Sequence, residues 1–192
     1  MSLKKQAKVL TKAQVEAVLA YLASTRYTAR NRAIFLLSVR AGLRAKEIAS
    51  LTWPMVTDAE GAIGSAIHLT DEASKGRSGR VIPLARDLKA ALAAVKAEGG
   101  FREFVISSER GDRTSPAVIV NLFRHWYRSL GFIGASSHSG RRTAITNWAR
   151  RISAVGGSLR DVQMLAGHSA LTTTQRYIEA DATAMKRVVE LI

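Results

Sequence analysis

Apolar residues recur every three or four positions through residues 10–24, LTKAQVEAVLAYLAS, so that Val15, Val18, Leu19 and Leu22 would share one face of a helix. Thr11 is placed to cap it, and Gln14, three residues on, completes a capping box. A second helical segment runs through ARNRAIFLLSVRAG and stops at Gly42, which tolerates the positive φ of a helix end. GLRAKEIASL predicts a third, short helix, closed by Trp53 and Pro54. The period then changes. PMVT, SAIHLT and GRVIPL, between residues 54 and 84, are short β-like runs separated by Gly, Asp and Ser clusters. They predict a small antiparallel sheet of about three strands, with ASKGRSG turning between the last two. Helical spacing returns in ARDLKAALAAVKA and, after a Thr-Ser-Pro start signal, in SPAVIVNLFRHWYRSLG. HSGRRTAITNWARRI, SLRDVQMLAG, LTTTQRYIEA and DATAMKRVVELI read as consecutive helices or turns. The fold class predicted is mainly α with a small antiparallel β-sheet (α+β). No repeat, low-complexity tract or long linker interrupts the chain.

Composition narrows the function more than the fold. A chain of 192 residues suits one domain, taken here as residues 1–192. Lys and Arg number 29 against 15 Asp and Glu, a formal charge of +14. Arginine outnumbers lysine by about two to one, and its planar fork grips phosphate through paired hydrogen bonds. A nucleic acid is therefore the expected partner, ahead of a membrane surface or an acidic protein. The absence of cysteine removes disulfides, thiolate nucleophiles and cysteine-based zinc sites. The opening MSLKKQAKVL has no apolar run of signal-peptide length, and no stretch reaches the roughly 20 apolar residues of a membrane span. A soluble, cytoplasmic protein that does not engage membranes is expected.

The residues that could carry chemistry look ordinary one at a time. Arg44 and Glu47 are three apart, as are His138 and Arg141, so each pair would share a helix face. Either pair alone reads as a solvated ion pair or a helix-end charge. Lys75 falls in the glycine-bearing turn between two predicted strands, His168 follows Gly167 after a helix, and Tyr177 is one of four tyrosines. Taken together they match what phosphodiester cleavage requires. That reaction needs a nucleophile, charge stabilisation on the non-bridging oxygens and a proton donor for the departing oxygen. Tyr177 would be the first, Arg44 and Arg141 the second, and Lys75 or a histidine the third. A phenol of pKa about 10 is a poor nucleophile at neutral pH unless fixed cations stabilise what it forms. Arginine stays protonated, so two arginines can replace the metal ions that many nucleases use.

GLRAKEI, SKGRSGRVIPL, HSGRRT and LAGHSALTTTQRYIE, in that order, resemble the catalytic domain of the tyrosine recombinases, the phage integrase family, over about residues 10–180. The resemblance implies a strand transferase with no cofactor and no metal. Tyr177 would attack the scissile phosphate to leave a 3′-phosphotyrosyl bond and a free 5′-hydroxyl. Arg44 and Arg141 would clamp the phosphate, and Lys75 would protonate the 5′ oxygen. His138 would assist proton transfer at the nucleophile, His168 would hydrogen-bond a phosphate oxygen, and Glu47 would support the site. Partners implied are double-stranded DNA, further copies of the chain in a homo-oligomer (a tetramer on DNA), and accessory DNA-bending proteins, at a prokaryotic nucleoid. The remaining histidines and tyrosines, His68, His125, Tyr21, Tyr27 and Tyr127, match no catalytic position and are expected to be structural.

Several features depart from the family pattern. The helical DNA-binding domain that usually precedes the catalytic one is expected to be absent, either because the domain is excised or because the chain is a short member. Gly140 and Ala166 stand where leucine is common. The run DATAMKRVVELI puts Ala184, Val188 and Leu191 on one helical face, suited either to its own domain or to a neighbouring subunit. Three alternatives remain. A type IB topoisomerase shares the tyrosine step, a non-catalytic DNA-binding module would share only the fold, and a two-metal nuclease is disfavoured because no compact carboxylate cluster stands out.

Overall fold

The computed structural model describes residues 7–74, 78–99, 102–108, 111–178 and 189–190. Helix α1 (Lys12–Ala23) starts where the sequence places it. The Thr11 hydroxyl accepts from the Gln14 N–H at 3.2 Å, and the Gln14 side chain accepts from the Thr11 N–H at 3.0 Å. Helix α2 (Thr28–Val39) is buried almost all round, from Ala33 through Val39 without a break. A helix that is apolar on every side belongs in the middle of its domain. Here α1, α4 (Arg86–Glu98) and α6 (Ser139–Arg151) pack around it. The short α3 (Ala45–Ala49) leans on α5 (Pro116–Ser129), whose start has Ser115 as cap and Pro116 as first helical residue. Phe123 of α5 carries the aromatic part of the core, edge-on to Trp126 at 5.3 Å and tilted against Phe35 at 6.4 Å. Each such ring, fully buried, contributes on the order of 1.5–3 kcal/mol.

The sheet is smaller than the sequence pattern predicts. Two strands, β1 (Ala66–Leu69) and β2 (Arg80–Pro83), pair antiparallel with Ala66 opposite Pro83 and Leu69 opposite Arg80. The expected first strand, PMVT, is instead a 3₁₀ turn at Trp53–Met55 followed by a single bridge between Thr57 and Ile63. Pro54 has no N–H to give a ladder and its fixed φ suits the turn, so only one residue of the run pairs.

Gly140 has a packing reason. A Cβ there would lie 2.4 Å from Ser38 Oγ, so the missing side chain lets α6 close onto α2. The helix-propensity cost of glycine is offset by that approach.

Helices α7 (Leu159–Ala166) and α8 (Leu171–Gln175) complete the described chain. Their apolar support is separate from the main core. Ile145, Val162 and Ala166 form a small cluster on which Trp148, Ile152 and Tyr177 rest. So little apolar burial leaves polar ties to fix this end of the domain. The face predicted for Ala184, Val188 and Leu191 lies outside the described residues. Among the described residues no helix is long and apolar enough to cross a membrane.

Candidate active site

The first arginine is not on a helix face, as its spacing from Glu47 suggests. Arg44 is the extended residue preceding α3, and Glu47 reaches back to it. Glu47 Oε2 accepts the Arg44 backbone N–H and Oε1 accepts its Nη1, both at 2.8 Å. This is the glutamate half of a capping box: Glu47 takes the backbone N–H of the residue before the helix, and because a guanidinium only donates, the same carboxylate fixes the Arg44 side chain as well as the helix start. Glu47 is completely buried and has a second cation, from a strand thirty-three residues away. Arg80 donates Nη1 to Oε1 and Nη2 to Oε2, each at 3.2 Å. Burial pushes the Glu47 carboxyl up, but the hydrogen bonds and charges of Arg80 and Arg44 outweigh it and hold the pKa below the ordinary glutamate value. Truncating Glu47 would strand Arg80 without its counter-ion. Glu47→Ala should therefore lose about 3–5 kcal/mol of unfolding free energy, read from urea denaturation, with Glu47→Gln losing less.

Arg141 enters from α6 and is 4% exposed. Nη1 donates to the Gly42 carbonyl, Nη2 donates to the Ala166 carbonyl at 2.7 Å, and Nη2 also faces His168 Nε2 at 3.1 Å. Burial, then the charges of Arg44 and Arg80, lower its pKa to about 10, while Glu47 and Tyr177 pull it upward. It is a cation at neutral pH, and the groups that perturb it are the other members of the cluster. Three guanidinium groups and one carboxylate leave the cluster with a surplus of positive charge.

His168 is held on both ring nitrogens. Because Arg141 can only donate, Nε2 is the acceptor, and Nδ1 carries the proton toward Thr174 Oγ1 at 2.9 Å. Gln163 secures the segment, its side-chain amide donating to the His168 carbonyl at 2.9 Å. Gly167 has φ +60°, and a Cβ on it would lie 2.9 Å from Arg80 Nη1, so backbone handedness and the neighbouring arginine both demand glycine. Burial first, and then Arg141, Arg44 and Arg80, bring the His168 pKa down to about 4. The folded protein thus disfavours the imidazolium relative to the unfolded chain. Stability from this residue is full above the ordinary histidine value of 6.5 and is lost as pH falls toward about 4. Melting temperature should decline across that window, and His168→Asn should remove that part of the decline.

The Tyr177 ring lies on His168, centroids 5.5 Å apart with the planes 24° from parallel, and the Arg142 guanidinium carbon sits 5.8 Å from its centroid. Arg44, Glu47, Arg141, His168 and Tyr177 are thus brought together by α3, α6, α7 and α8. His138 does not share the environment of Arg141, being exposed at the start of α6 where Arg141 is buried. Lys75 lies outside the described residues. An open groove of about 1180 Å³ runs past the cluster, lined by Arg44, Gly167 and His168 and edged by the exposed Val81 and Met164.

Arg80, Thr174 and Gln163 join the site in the fold without having stood out in the sequence. Arg80 did carry a signal, because strand alternation places it on the same side as Ile82, which is buried. A charge on an inward strand face needs a buried partner. Thr174, one of three consecutive threonines, and Gln163, within α7, carry no comparable mark.

The family profile described as "Phage integrase family" matches residues 8–184. The chain belongs to the phage integrase family. Among the curated relatives of this integrase-family chain is the tyrosine recombinase XerC of Rhodospirillum centenum, 33% identical over 162 residues, which cover 84% of this chain and 46% of that protein. The tyrosine recombinase XerA of Thermococcus onnurineus is 29% identical over 187 residues, covering 95% and 62%. The integrase-family chain spans about half the length of the first curated relatives it matches, 46% and 49%. Among solved structures, the Tn1549 transposon integrase in complex with a circular intermediate DNA superposes with TM-score 0.78 at 18% identity, covering 100% of this chain and 68% of that one. The XerH site-specific recombinase bound to difH substrate gives TM-score 0.72 at 20% identity, covering 98% and 55%. The family and the mainly helical fold with a small antiparallel sheet are as the motifs and the spacing of apolar residues led us to expect.

Proposed function

We propose that this chain is the part of a site-specific DNA recombinase that cuts and rejoins strands through Tyr177. The observation that carries this reading is the cluster itself, in which Arg44, Arg80 and Arg141 outnumber Glu47 beside a tyrosine, with Arg44, Arg80 and His168 lining an open groove. A phosphodiester carries one negative charge and gains another as the nucleophile arrives, so fixed positive charge is worth most at the transition state. Because guanidinium groups already held by Glu47, Gly42 and Ala166 need not reorganise, they lower the barrier without a metal. The Tyr177 oxygen attacks phosphorus, the bond from phosphorus to the 5′ oxygen breaks, and the 3′ side stays joined to tyrosine. The phenolic proton leaves toward His138, and the 5′ oxygen takes one from Lys75. Both assignments come from the family resemblance. One phosphoester is exchanged for another, so a second 5′-hydroxyl can reverse the step without ATP.

His168 is neutral in this account and orients Arg141. A phosphate oxygen contact by its ring would replace the bond to Arg141 or to Thr174. Relatives named tyrosine recombinases support the reading, as does structural likeness to an integrase held on DNA. Double-stranded DNA and further copies of the chain are the proposed partners, in the prokaryotic cytoplasm. The test uses a pool of duplexes with randomised cores, each nicked so that the short 5′-hydroxyl product diffuses away. A covalent, detergent-resistant adduct of protein and DNA is expected. Site-independent relaxation of supercoils would instead indicate a topoisomerase, and no adduct from any sequence would remove the proposed chemistry.

A further inference from the structure

We propose that Arg80 is a positioning residue that ties the arginine at the start of α3 to the histidine at the end of α7, and that cleavage depends on this tie. The proposal rests on the function argued above. The Arg80 side chain is 5% exposed against 25% for Arg44, so although Arg80 contributes to the groove lining it offers a phosphate little free surface. Its fork is spent on protein groups. Nη1 and Nη2 grip both oxygens of Glu47 at 3.2 Å, Nε donates to the Leu165 carbonyl at 2.9 Å, and Nη1 also reaches the Ser78 carbonyl at 3.3 Å. A guanidinium has five N–H groups, and these contacts engage nearly all of them.

Each end of this strut holds something the chemistry uses. Glu47 is the residue that fixes Arg44, through two contacts at 2.8 Å. Leu165 is followed by Ala166, whose carbonyl takes Arg141, and then by Gly167 and His168. Arg80 and Arg141 therefore tie successive carbonyls at the end of α7, one from the sheet and one from α6. The apolar cluster beneath α7 is small, so these ties act with the Gln163 and Thr174 contacts to fix His168, on which the Tyr177 ring lies. Lysine cannot replace the strut, because a single ammonium is too compact to span a carboxylate and a carbonyl on another element.

The experiment compares wild type, Arg80→Met, Arg80→Lys, Glu47→Gln and the double variant Glu47→Gln/Arg80→Met for single-turnover adduct formation on the nicked duplex. DNA affinity and melting temperature are measured alongside. Arg80→Met should slow cleavage at saturating DNA on the order of 100-fold with DNA affinity unchanged, the scale of a misplacement near one ångström. The double variant should be no slower than the slower single variant, because both break the same tie. Arg80→Lys keeps the charge and should stay slow while remaining folded, which decides the matter if the methionine variant does not fold. A wild-type rate in Arg80→Lys would overturn the proposal. So would effects that multiply to on the order of 10,000-fold in the double variant, or a loss confined to DNA affinity. If wild type itself forms no adduct, the functional reading fails and this inference goes with it. An active wild type with an indifferent Arg80 sinks the inference alone.

Discussion

Phenylalanine at position 177 will leave the protein folded, able to bind DNA and unable to cut it. The ring of Tyr177 is what packs, resting on the Ile145, Val162 and Ala166 cluster and stacking on His168 at 5.5 Å. Removing the hydroxyl keeps those contacts and removes the oxygen proposed to attack. Phenylalanine retains the burial that holds α8 in place, so the melting temperature should stay close to that of wild type. Adduct formation on the nicked duplex should fall below detection, because the proposed attack has lost its nucleophile. A Tyr177→Phe protein that still formed adduct would show that a different side chain is the nucleophile.

The second large effect belongs to Arg141. Arg141→Lys keeps a positive charge but loses the planar fork that reaches the Gly42 carbonyl, the Ala166 carbonyl and His168 together. An ammonium satisfies one or two of those acceptors and gives up the paired geometry that a phosphate would meet. Losing one preorganised donor at a developing negative charge costs about 100- to 1,000-fold in rate. Arg141→Lys should therefore cleave more slowly by that factor at saturating DNA. Its His168 ring loses the guanidinium N–H that holds Nε2 as an acceptor, so it should titrate at a higher pH than in wild type when followed by NMR.

What the sequence made legible follows from how local each signal is. The capping box at Thr11 and Gln14 depends on residues three apart, and it is present. The helix through ARNRAIFLLSVRAG was legible from its local pattern, whereas its central position, with residues 33–39 buried throughout, is set by packing. PMVT looked like a strand because alternation over four residues cannot register that Pro54 removes a donor. At the site, Arg44, Arg141, His168 and Tyr177 were legible through the order of their motifs. The carboxylate that binds two of those elements together was only half legible. Glu47 could be paired with Arg44 along the chain, whereas its bond to Arg80 spans thirty-three residues of sequence and two elements. Thr174 and Gln163 act on His168 through contacts set by tertiary packing alone.

The most direct measurement is peptide mapping, by mass spectrometry, of the adduct trapped on a nicked duplex in the presence of excess chelator. The chain is expected to form adduct without divalent cations, and the residual nucleotide should be found on Tyr177 through its 3′ phosphate. Adduct that requires added metal, or a nucleotide attached anywhere else, would contradict the account.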